Sequence, residues 1–117
     1  MALETDLMAE MQAECPRVVV GTAPYGTAMP YVTWQHIGGD VLRYTDNAPA
    51  DKRKPLIQIN TWAATPQQAF ALIQRIEERL CAAAAFTARP HGDPIGAYDD
   101  AGVVSGYLQT FSILGAR

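Results

Sequence analysis

Cysteine is scarce in this chain. Cys15 and Cys81 are the only two among 117 residues. Two thiols cannot build the multi-bridge framework of a small secreted domain. Both read as reduced groups on or near helices, partly buried, in a cytosolic setting. Histidine is equally scarce. His36 and His91 stand alone, without a His-x-x-x-His or Cys-x-x-Cys spacing, so no metal site is expected. Charged residues make up 18% and the net charge is −3. Such a chain is not built as a whole to grip nucleic acid. Long apolar runs are missing too. None approaches the about 20 residues that span a bilayer, and the opening "MALETDLMAEMQAEC" is acidic and broken by charges, unlike a secretory signal. What is present is a hydrophobic half, 49% of residues. That is enough for a core, and the length fits one domain spanning residues 1–117.

The periodicities mark two helices. Leu3, Leu7, Met8 and Met11 recur at helical spacing over residues 2–14. Pro16 ends that helix, because a residue before proline is pushed out of the helical region. The second helix covers residues 66–83. Thr65 caps it, Pro66 fits its first position, and Gln68 completes a capping box. Its apolar stripe is Ala69, Leu72, Ile73, Ile76, Leu80 and Ala83, with Glu77, Glu78 and Arg79 off the stripe.

Strands read from two-residue alternation and β-branched or aromatic content. They are residues 17–20, 31–37 and 56–63, a start at 86–89, and a long closing strand at 103–114 with Tyr107, Phe111 and Ile113 on one face. Residues 21–30 and 91–102 read as turn-rich loops. Residues 41–55 are polar, hold Pro49 and Pro55, and read as a long mobile loop with too few apolar groups to offset the entropy of ordering. The sum is an α+β fold: a mostly antiparallel sheet with two helices packed on one face.

No reactive constellation emerges. His36 alternates with Val32 and Trp34, which suits packing or a surface hydrogen bond. Asp99 and Asp100 in "YDDAG" are turn residues rather than an acid–base pair. Cys15 has no histidine near it in sequence. "GTAPYG" matches neither a P-loop nor a dinucleotide fingerprint. The one basic cluster is Lys52, Arg53 and Lys54. These residue types point to no enzyme, no cofactor and no metal.

Four stretches in order carry a resemblance. They are "CPRVVV", "MPYVTWQHIGG", "LIQINTWAATPQQAFALIQRIEERL" and "YDDAGVVSGYLQTFSIL". Together they resemble the tail completion, or tail terminator, proteins of long-tailed bacteriophages and prophages. The resemblance implies a structural virion protein that forms a homo-oligomeric ring, typically a hexamer. That ring caps the tail tube, ends tail growth and offers the head–tail joining surface. The implied partners are other copies of the chain, the tail tube protein and a head–tail neck or connector protein. DNA passes through the ring without specific binding, and no membrane is involved. The implied location is the head-proximal end of the virion tail, after assembly in the bacterial host cytoplasm. The expected interface residues are Arg43, Tyr44, Lys52, Arg53 and Lys54, with Tyr44 as apolar anchor and the cations meeting carboxylates. Two alternatives stand beside this: a head-side neck or connector protein of the same junction, and a small host α+β ligand-binding domain or enzyme. A closed apolar pocket with convergent polar groups would favour the last.

Overall fold

The computed structural model describes residues 2–21, 29–40, 52–98 and 105–116. In chain order these residues form α1 (Ala2–Glu14), β1 (Val18–Val20), β2 (Tyr31–Asp40), β3 (Lys52–Ala63), α2 (Pro66–Ala82), β4 (Thr87–Pro90), β5 (Ile95–Tyr98) and β6 (Ser105–Ala116). The sheet order is β1-β2-β3-β6-β4, with β5 also on β6. Among the described strands only the β1–β2 pair is parallel. The α+β class expected from the sequence is the one found.

Both helices form where the periodicities place them. In α1 the buried residues are Leu3, Leu7 and Met11. The helix stops at Glu14, and the Cys15 N–H still donates to the Met11 carbonyl at 3.0 Å. In α2 the Thr65 hydroxyl accepts from the Gln68 N–H at 3.3 Å and Pro66 opens the helix, where its missing N–H costs nothing. Ala69, Leu72, Ile73, Ile76 and Leu80 are buried. Each large member of that stripe contributes roughly 1.5–3 kcal/mol of hydrophobic transfer.

One sheet face receives both helices. Ile57, Ile59, Thr61 and Ala63 of β3 are buried, as are Val32 and Trp34 of β2 and Gln109, Phe111 and Ile113 of β6. Their Cα pairings (Val32↔Thr61, Trp34↔Ile59, Ile57↔Phe111) put them on the same side. Thr61 is a polar residue in this apolar face. Its hydroxyl donates to the Ala69 carbonyl in the first turn of α2, at 2.9 Å, so the polar group is paired and the helix is tied to the strand. Gly115 lets α1 approach, because a Cβ there would lie 2.6 Å from the Leu3 Cδ1. Outside the core, Arg79 of α2 bonds Glu14 of α1 at 2.8 Å and Glu10 at 3.4 Å, and Arg75 pairs with Glu14 at 3.3 Å.

Three sequence expectations need correction. Residues 52–55 are not loop but the start of β3, paired with β6 at Lys52↔Ala116 and Arg53↔Gly115. Lys54 and Pro55 drop out of that ladder before it resumes at Leu56↔Ser112, as expected of a proline that has no N–H to give. The strand at 31–37 continues to Asp40 across a bulge at His36/Gly38. Gly38 and Gly39 take positive φ of 142° and 124° there, and a Cβ on Gly39 would collide with the Lys54 carbonyl. The loop at 91–102 contains β5, which pairs with Leu108 through Ser105.

Candidate assembly surface

The helix-free face of the sheet is built from the residues that alternate with the core. Tyr31 and Trp62 stack there, centroids 6.4 Å apart at 29°. The Trp62 indole N–H donates to the Thr33 hydroxyl at 3.3 Å. A side chain at Gly106 would meet the Trp62 ring at 2.6 Å, so this glycine is what lets the indole lie flat on the sheet. Next to the aromatic pair the Gln35 amide donates to Gln58 at 2.6 Å. With Asn60 these groups line a groove of about 310 Å³. Among the described residues its lining carries amides, hydroxyls and aromatic rings, and no acidic or basic side chain. That surface suits contact with another protein better than contact with an ion or phosphate.

The sheet edges differ from one another. β1 is a three-valine strand whose Val20 is 58% exposed. Beyond Trp34 no described strand flanks the outer side of β2, and the bulge with its two glycines occupies that stretch. On the far side of the sheet, β4 and β5 lie end to end along β6. β4 reads "TARP", with Arg89 and Pro90, whereas β5 reads "IGAY" and its Ile95 is 63% exposed.

Of the expected interface residues, Arg43 and Tyr44 lie outside the described residues. Lys52, Arg53 and Lys54 are in β3, and Lys54 is the Cα partner of Asp40. The cluster is therefore carried on paired backbone, not on a loop. His36 is exposed and its Nε2–H donates to the Gly38 carbonyl at 2.7 Å, within the bulge. Cys15 is buried and Cys81 exposed, both as free thiols. Burial, then the charge of Glu77, pushes the Cys81 thiol above its ordinary value. The hydrogen bonds that Arg79 donates to Glu14 and then to Glu10 push its guanidinium up. Among the described residues no three His, Cys, Asp or Glu side chains gather in a metal-binding group, and no helix is long and apolar enough to cross a membrane.

Sequence reasoning passed over the Tyr31–Trp62 stack and the β5 edge. The signal for the stack was the pairing of two aromatic strand ends across a hairpin. It needs the register to be known first. No curated protein sequence matches the chain at a significant level. Residues 2–97 match the family described as "Tail completion protein gp17". That match runs from α1 into β5, and the chain belongs to this tail completion family of bacteriophage tail proteins.

Proposed function

We propose that this tail protein forms a closed ring that caps the tail tube, ends its growth and presents the surface to which the head's neck proteins join. Membership of the tail completion family makes it a structural component of the virion tail. The ring, the head-proximal position and assembly in the host cytoplasm are the finer reading. What supports the ring is the asymmetry of the sheet: helices on one face only, and two edges of different sequence. Closed rings with more than two members need contacts between unlike surfaces, and a sheet whose two outer strands differ, as they do among the described residues, supplies them.

The groove beside Tyr31 and Trp62 and the cations Arg43, Lys52, Arg53 and Lys54, with Tyr44, then serve stacking on the tube and the neck. No reaction is assigned to the chain. DNA crosses the ring without being held, which a net charge of −3 favours. Electron micrographs of the purified protein, alone and mixed with tail tubes, test the reading. Rings of one fixed copy number, seated on tube ends, are the expected result. Two-fold dimers under every condition would overturn it.

A further inference from the structure

We infer that neighbouring copies in the ring join by strand addition, β5 of one copy pairing antiparallel with β1 of the next. This rests on the ring reading and names its contact. Natural sheets blunt open edges with proline, charge or bulges, since an unblunted edge recruits another strand. β4 carries Arg89 and Pro90, and the outer stretch of β2 carries the bulge at His36/Gly38. β1 and β5 carry none of these, and each exposes a large aliphatic side chain, Val20 and Ile95.

Direction comes next. β1 runs parallel to β2, and the pairs β2–β3, β3–β6 and β6–β5 are each antiparallel. β5 therefore runs opposite to β1. When copies related by a simple rotation continue the sheet, β5 meets the next β1 in antiparallel sense, the slightly more stable pairing.

Height agrees as well. One unbroken row of Cα partners crosses the sheet, Val19–Thr33–Asn60–Leu108–Ile95, and the adjacent row runs Val18–Val32–Thr61–Tyr107–Gly96. The two edges thus end at the same level, so the junction needs rotation but no rise along the strands. The hydrogen-bonding parity also fits. The Val32 N–H donates to the Arg17 carbonyl and the Gly21 N–H to the Trp34 carbonyl, so β1 turns its odd residues to β2 and Val18 and Val20 outward. The His91 N–H donates to the Thr110 carbonyl. By that parity Ile95 bonds inward to β6 and Gly96 faces out. Val18 then exchanges backbone bonds with Gly96 of the next copy, and Val19 lies opposite its Ile95 as a non-hydrogen-bonded pair. Such pairs have Cα atoms about 4.5 Å apart, within disulfide range.

That register is testable by oxidation. In a Cys81→Ser background, Val19→Cys protein and Ile95→Cys protein are mixed and oxidised. Disulfide-linked pairs of unlike copies are expected, and neither protein alone should dimerise. The double variant should give a ladder that stops at the ring's copy number. Disulfides between like copies, or none, would overturn the junction. Hydrogen exchange on the unaltered protein needs no variant: the Val18, Val20 and Gly96 amides should slow on assembly, and unchanged rates would also overturn it. Gly96→Pro removes one outward N–H at a position where an added Cβ would only touch the Tyr107 ring, at 4.0 Å. It should keep the fold by circular dichroism and weaken association about tenfold or more; undiminished assembly counts against the junction. Micrographs separate the two claims. Unlike-copy disulfides in open filaments would sink the ring and keep the junction, and rings without them would do the reverse.

Discussion

Gly106 shows how one atom decides a surface. A Cβ there would lie 2.6 Å from the Trp62 ring and 2.8 Å from the Thr61 carbonyl. The backbone oxygen cannot step aside, so Gly106→Ala should cost about 1–3 kcal/mol in urea unfolding and displace the indole, readable as a change in Trp fluorescence. Ile76 is the opposite case, fully buried in mid-stripe of α2. Ile76→Asp buries an unpaired carboxylate and should cost several kcal/mol, on the order of a small domain's whole stability; a melting temperature within a few degrees of wild type would refute its place in the core. Cys81 carries a pH prediction. Its thiol is raised by burial and by Glu77, so the folded state holds the proton more tightly than the unfolded chain. The associated stability is present below the unfolded thiol's pKa and fades as pH rises through the folded one. Alkylation of Cys81 in the native protein should accordingly have its midpoint above that of the unfolded chain, above the ordinary value of 9.0. Ile76 was legible in the sequence because helical spacing places it. The Gly106 contact was not, since it depends on which strand lies beside which.

At the scale of elements, α1 and α2 were fully legible: proline, cap and stripe all act within a few residues. The start of β3 was not. Lys52, Arg53, Lys54 and Pro55 read as loop because they close a polar stretch without clear periodicity, and a proline in a central strand is unusual. Here the chain keeps the strand by letting Lys54 and Pro55 fall out of the β6 ladder while pairing continues on both sides. β5 was hidden for a different reason. Four residues in a turn-rich stretch hold no periodicity, and the strand exists because β6 is long enough to template it. Hydrogen exchange should reflect this, with slow amides at Leu56–Ala63 in the free subunit. Replacing Lys52, Arg53 and Lys54 together by Ser should leave the fold intact, since the pairing of this stretch with β2 and β6 is made by the backbone. Assembly on tail tubes should weaken, most visibly at low salt; assembly untouched by the triple change would remove these residues from the interface.

For the whole molecule, association is the property to measure. Light scattering over a concentration series, with and without tail tubes, should show growth to one closed size, as head-to-tail contacts saturate when the ring closes. The low charge supports that assembly without a strong salt dependence of the backbone-to-backbone junction itself. The class of the fold was legible from the order of helices and strands; the neighbour relations that make an edge available were not, because register is a property of the folded sheet. One contact in the fold has a practical side. Leu3 lies against Gly115, so α1's first turn and the end of β6 occupy one corner of the subunit. A gold label on α1's first turn and one on the end of β6 should therefore mark the same pole of every subunit in a micrograph.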